Sequence, residues 1–232
     1  MKQMNIIFLI ISVTIAHAFS TVEISSIKGE VQVRRGLDEH WSDAQKGMLL
    51  EEIDTIQTGE GTVVLKKQDG STFTMGSLSI LDISDLRTIT RQEMFLFVMS
   101  QKVQKMAPRR QPSTLTAPNI SSVHGEKKST TERVQQAEEI RSWQRELNTV
   151  KAMLNQAYYT NSVVKLHKVL GRYTDLDDCG AVNLYLGKSF EQLDEPGQAV
   201  DNYQIAMQKA ESCESGDAIF EQAQQAIRRL SR

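Results

Sequence analysis

The hydrophobic pattern of this 232-residue sequence changes period once, and that change restricts the folds open to it more than any other feature. From Thr21 to Ile83, apolar and polar residues alternate in short runs, among them Glu30-Val31-Gln32-Val33-Arg34, Thr62-Val63-Val64-Leu65-Lys66 and Ser71-Thr72-Phe73-Thr74-Met75. Period two marks half-buried antiparallel strands, whose successive side chains point to opposite faces. From Ser129 onward, apolar residues recur every three or four positions, as on one face of a helix. The sequence therefore predicts an α+β protein in two domains, an antiparallel all-β unit over 19–126 and all-α helical hairpins over 127–232. A chain of this length can bury two modest cores.

Turn residues punctuate the β half at strand-length intervals: Lys28-Gly29, Arg35-Gly36, Gly47, Gly59-Glu60-Gly61 and Gly76-Ser77. Gln68-Asp69-Gly70-Ser71 is a hairpin signal, because Asp-Gly tolerates the positive φ angles of a tight turn. The set Val31, Val33, Arg35-Gly36, Trp41, Gly47, Asp54-Thr55-Ile56-Gln57-Thr58-Gly59, Asp69-Gly70-Ser71 and Ser79 resembles the FecR-like domain pattern in order and spacing. Thr116-Ala117-Pro118 and Val123-His124-Gly125 are similar to that family's closing elements, with His124 and Glu126 replacing the expected arginine and threonine. The resemblance implies an extracytoplasmic sensing or interaction module without catalysis. The residues themselves read as structural: glycines in turns, Asp54 and Asp69 as local caps, Trp41 in the core, with a glycan-stacking role for Trp41 as the alternative.

A helix is expected over 90–106, where Phe95, Val98, Met99, Val103 and Met106 form an apolar stripe. Its expected place is on the β unit. A membrane-surface helix is the alternative, with Lys102, Lys105, Arg109 and Arg110 facing head groups. Residues 107–128, rich in Pro, Ser and Thr, read as an irregular return segment over 107–126 that runs on into a linker.

Ser129-Thr130-Thr131-Glu132 has the spacing of a capping box, and Val134 through Ala157 continue one apolar stripe to about Tyr158. Within Ala181–Ala210, the residues Leu186-Gly187, Phe190, Ala199, Tyr203 and Ala206 are spaced in a way that resembles the tetratricopeptide repeat. Gly187 and Ala199 are small where two antiparallel helices would touch, and Phe190 and Tyr203 would fill the layer between hairpins. Leu193-Asp194-Glu195-Pro196 makes the turn, with Pro196 in the first turn of the next helix. Asn183 stands where the repeat prefers tryptophan, and Glu211 where it prefers proline. One repeat cannot bury its own faces, so flanking helices must complete a stack of about five. The resemblance implies a partner-binding groove on the inner face of the first helix, here Asn183, Lys188 and Gln192, with Tyr158 and Tyr159 as candidate aromatic anchors.

The first residues read as a secretory leader: Lys2, an apolar run over Ile6–Ile15, and small residues at Ala16-His17-Ala18 before a cut preceding Phe19. Loss of residues 1–18 would leave the chain one unit more negative than its formal −2, with no global attraction to nucleic acid. A periplasmic or secreted location follows as an expectation, with no spanning helix after cleavage. In that oxidising setting Cys179 and Cys213, at the two ends of the predicted hairpin, are expected to form a disulfide, with two buried thiols as the alternative. His40, His124 and His167 have no metal-ligand spacing, and no nucleophile elbow or phosphate loop occurs. The expectation is a non-catalytic envelope adaptor, without cofactor or metal, that binds protein partners. A FecR-related ligand sensor and a peptidoglycan or other glycan binder are the alternatives.

Overall fold

The computed structural model describes residues 21–106, 130–173 and 176–231. The leader, the return segment with Thr116–Pro118 and Val123–Gly125, and the capping box at Ser129 lie outside the described residues. The architecture is α+β. An antiparallel six-stranded sheet comes first, ordered β2-β1-β4-β5, with β3 also pairing β1 and β6 pairing β4. The strands are β1 (Val22–Arg34), β2 (Ser42–Asp43), β3 (Leu49–Leu50), β4 (Thr55–Lys67), β5 (Thr72–Met75) and β6 (Ile80–Asp82). A 3₁₀ turn, Ile83–Leu86, then leads to α1 (Arg91–Met106), α2 (Thr130–Asn155), α3 (Tyr159–Arg172), α4 (Ala181–Gln192), α5 (Pro196–Glu211) and α6 (Asp217–Leu230).

β1 and β4 are longer than the alternating runs suggest because each contains a change of parity. In β1 the buried residues are Val22 and Ile24, then Val31 and Val33; in β4, after the buried Thr55 at its start, the alternating buried residues are Ile56 and Thr58, then Val63 and Leu65. An unbroken strand would turn half of each set outward. The pairing register shifts between Ile24 and Ser26, and again between Gly29 and Val31. These shifts place one extra residue in β1 and one in β4, so Val22, Ile24, Val31 and Val33 share the core face with Ile56, Thr58, Val63 and Leu65. Ser25, at the first shift, donates its hydroxyl to the Val64 carbonyl at 3.0 Å. Near the second, Gly29 has φ +79° and a Cβ there would sit 2.3 Å from the Glu60 carbonyl oxygen, so only glycine fits. The Asp-Gly hairpin is present: Gly70 has φ +81°, and Asp69 accepts from the Ser71 amide at 2.9 Å.

Asp54, only 3% exposed, organises the opposite end of the sheet. Its carboxylate accepts from Arg35 Nη1 at 2.6 Å, the Gly36 amide at 2.9 Å and the Glu51 amide at 2.9 Å, tying the loop after β1 to the turn before β4. Trp41 does not join the sheet core. It is half-buried, with the Arg34 guanidinium 5.3 Å above its ring, because β2 is a two-residue edge strand that leaves little for the indole to pack under.

The helix expected over 90–106 is present, opened by a reciprocal cap in which Thr90 Oγ1 accepts from the Glu93 amide at 3.2 Å and Glu93 accepts from the Thr90 amide at 2.8 Å. Its packing differs from the expectation. Met94 and Val98 are buried among helical residues, α1 lies on α3, and Phe95, Met99 and Val103 are exposed. The reason is Met94: it shares the Val98 face, and that face is shielded by α3 while the sheet core is already closed by α2. α2 ends at Asn155, earlier than the apolar stripe, since Ala157 takes φ +62° and the Tyr158 amide donates to the Met153 carbonyl at 2.9 Å.

α2 belongs to both cores. Met153 is buried in the sheet core while Leu147 and Val150 are buried in the helical one. Gln156 extends the sheet like a strand residue, donating to the Thr74 carbonyl at 2.8 Å and accepting from its amide at 2.7 Å, which covers the free edge of β5. In the predicted hairpin Gly187 lies under the Tyr203 ring, where an added Cβ would approach to 2.5 Å. Phe190, Ala199 and Ala206 are buried beside it, and Pro196 opens α5.

Candidate functional site

The α4–α5 hairpin is held at its open end by a disulfide between Cys179 and Cys213, whose Cα atoms are 5.5 Å apart. Asp178 starts α4 by accepting from the Val182 amide at 2.6 Å and the Gly180 amide at 3.1 Å. Among the described residues, the Asp177 carboxylate and the two sulfurs have ligand atoms within 4.8 Å of one another. The sulfurs are bonded to each other, so no thiolate is available there to hold a metal ion.

A cavity of about 700 Å³ opens between α2, α4 and α6. Its aromatic floor comes from Tyr159, Tyr185 and Tyr203. Two lysines bracket Tyr185, with Lys188 Nζ 5.0 Å and Lys151 Nζ 5.8 Å from the ring centroid, a cation–π arrangement supplied from two different helices. Lys188 also donates to Gln222 Oε1 at 2.8 Å, linking α4 to α6. Burial pushes the Lys188 ammonium below its usual value, Glu191 opposes this, and Lys151 pushes it further down. The one carboxylate on the wall, Glu191, is already engaged: Arg229 grips it with contacts of 2.8 and 3.0 Å, and the Tyr203 hydroxyl donates to it at 2.7 Å. Burial first, then Glu191, raises Tyr203, so its hydroxyl stays protonated as a donor. With Glu191 neutralised, the uncompensated charge in the groove is positive.

The sequence-predicted residues divide. Tyr159, Lys188 and Gln192 line the cavity. Asn183 is buried in the hairpin, its Nδ2 donating to Asn202 Oδ1 at 3.4 Å. Tyr158 turns toward the sheet, edge-on to Phe73 at a centroid distance of 5.4 Å with Lys67 above its ring. Tyr185, Lys151, Glu191 and Arg229 were not foreseen. Helical geometry alone separates Tyr185 from Asn183: Tyr185 lies about 60° from Lys188 around α4 and Asn183 about 140° away. Lys151 and Arg229 carry no such signal, because they reach the groove from helices distant in sequence.

A second charged cluster sits where helices meet sheet. Asp85, in the 3₁₀ turn, receives Lys165 Nζ and Lys168 Nζ, each at 2.7 Å. Glu146 of α2 receives Arg172 Nη1 at 2.5 Å and the Tyr173 hydroxyl at 3.2 Å, with Lys165 at 3.3 Å. Burial alone would raise the Asp85 carboxyl, but Lys165 and Lys168 outweigh it and hold it below its ordinary value. Asn161 completes the joint, its Nδ2 donating to the Asp85 and Arg87 carbonyls at 2.7 and 2.8 Å.

An antiparallel sheet joined through buried charges to stacked helices, with a basic aromatic groove on the helical side, makes this an α+β protein. No family model matches the chain, and comparison with curated proteins and with solved structures finds no match.

Proposed function

We propose that this chain is a non-catalytic adaptor of the cell envelope, in which tetratricopeptide-like helices bind a segment of a partner protein and the FecR-like sheet serves as a second contact module. The observation that carries the reading is the groove: two lysines flank an aromatic ring in a cavity whose only carboxylate is already neutralised. Such a surface favours an acidic segment, whose side chains would meet Lys151 and Lys188 while its apolar parts lie on Tyr159 and Tyr185. The disulfide supports an oxidising compartment, in keeping with the leader-like first residues. For the glycan alternative Trp41 is poorly placed, since Arg34 already covers its ring at 5.3 Å.

The experiment is charge reversal in the groove. Lys151→Glu with Lys188→Glu is expected to abolish the specific crosslinks formed by the protein in cells, at unchanged abundance and helix content, while reversal of exposed Lys66 in β4 leaves them intact. Crosslinks that survive the double reversal would overturn the reading.

A further inference from the structure

A second cavity, of about 120 Å³, lies where the sheet meets α2 and α3, apart from the groove. Its floor is Glu146 and Lys165, each with a side chain only 2% exposed, while Asp82 and Arg172, 32% and 50% exposed, form its mouth. The sheet supplies a wall as a row across three strands: Arg34 of β1 pairs with Thr55 of β4, which pairs with Asp82 of β6. Arg34 Nη2 donates to Thr55 Oγ1 at 3.3 Å, and that hydroxyl donates to Asp82 Oδ1 at 3.0 Å. Two buried polar atoms of the lining residues are left over. Among the described residues, Arg34 Nε, a donor, and Glu146 Oε2, an acceptor, have no hydrogen-bond partner, although Lys165 Nζ lies 3.3 Å from Oε2. Buried polar atoms are nearly always paired and leaving one unpaired is costly, so the site favours an occupant that accepts from the one and donates to the other.

Size and charge narrow the chemistry. An apolar cavity of about 150 Å³ holds the six heavy atoms of benzene, so about 120 Å³ holds roughly five or six. Within the cluster, the cations Arg34, Lys165, Lys168 and Arg172 outnumber the carboxylates Asp82, Asp85 and Glu146 by one, so a single negative charge neutralises it. A dianion would overshoot and be repelled by Asp82 and Glu146. A planar carboxylate suits the guanidinium of Arg34, and Ile80 is the apolar member of the lining. We propose that this cavity binds a small 2-hydroxy monocarboxylate, whose carboxylate accepts from Arg34 Nε, whose hydroxyl donates to Glu146 Oε2 and whose short carbon chain lies against Ile80. Bound there, it ties β1, β4 and β6 to α2 and α3, and so acts on the joint between the two cores independently of the groove.

Calorimetric titration and thermal melting of the full chain with L-lactate test this, with acetate and glycine as probes that each lack one feature. L-Lactate is expected to bind saturably at millimolar concentrations or below and to raise the melting temperature. Acetate, which lacks the hydroxyl, and glycine, which lacks the net charge, are expected to bind at least about tenfold more weakly. Arg34→Lys keeps the positive charge and removes the Nε donor, and is expected to weaken L-lactate binding by about the same factor at unchanged helix content. Lys151→Glu with Lys188→Glu, in the groove, is expected to leave L-lactate binding intact, which separates this site from the partner groove. Absence of saturable L-lactate binding, acetate or glycine binding as tight as L-lactate, or full L-lactate affinity in Arg34→Lys would each overturn the proposal, as would loss of L-lactate binding in the groove variant.

Discussion

Asp85 is 3% exposed, and its response to acid is set by the two lysines that hold it. Its folded carboxyl titrates below its ordinary value, so its contribution to stability is complete above the unfolded value of about 3.9 and is lost as pH falls through the lower folded value. Urea titrations of wild type should show stability falling steeply below about pH 4, with a shallower fall in Asp85→Asn. At neutral pH Asp85→Asn should cost about 3 kcal/mol, because the buried Lys165 loses its closest counter-charge. Gly187→Ala tests a steric claim of the same kind. Its Cβ would meet the Tyr203 ring, whose hydroxyl is tied to Glu191, so a loss of about 1–3 kcal/mol in the urea midpoint is expected. Gly187 and Asp69 were legible because their roles are local or set by helix spacing, whereas Asp54, read as a local cap, caps only the Glu51 amide locally and takes Arg35 and the Gly36 amide from the loop after β1. Lys165 was not: nothing in its neighbours Val164 and Leu166 says that a carboxylate eighty positions earlier will meet it.

The elements were legible wherever periodicity is unbroken. α4 and α5 fall where the repeat-like spacing puts them, with the turn closed by the Glu195 amide donating to the Phe190 carbonyl at 2.9 Å. The long strands were read short, because the register shifts at Ser25 and near Gly59 flip the alternation that reveals a strand. For α1 the stripe was found but assigned inward, since period alone cannot say which of two apolar faces a neighbour will cover. The disulfide belongs to this scale as well, closing the hairpin between the start of α4 and the end of α5. Cys179→Ala/Cys213→Ala should lose roughly 3 to 4 kcal/mol by releasing a loop of this length in the unfolded chain. Denaturation of wild type with and without reductant should show a loss of the same size.

At the scale of the whole molecule the two cores share their walls. Met153 of α2 is buried in the sheet core, Ile89 and Met94 from just beyond the sheet are buried among helices, and Asp85 joins α3 across the boundary. Heating should therefore produce one calorimetric transition, with equal calorimetric and van't Hoff enthalpies. The groove is likewise assembled from residues far apart in sequence, on α2 through α6. Only its α4 wall and Tyr159 could be anticipated, while its positive character came from Lys151 and from the neutralisation of Glu191 by Arg229. The most direct measurement places a photo-activated crosslinking residue at Gln192, exposed on the groove wall, and another at Glu214, on the loop beyond α5. A discrete, reproducible protein adduct from position 192 that is absent from position 214 is the expected result. Adducts equal at both positions, or none from 192, would contradict a groove that takes hold of a partner.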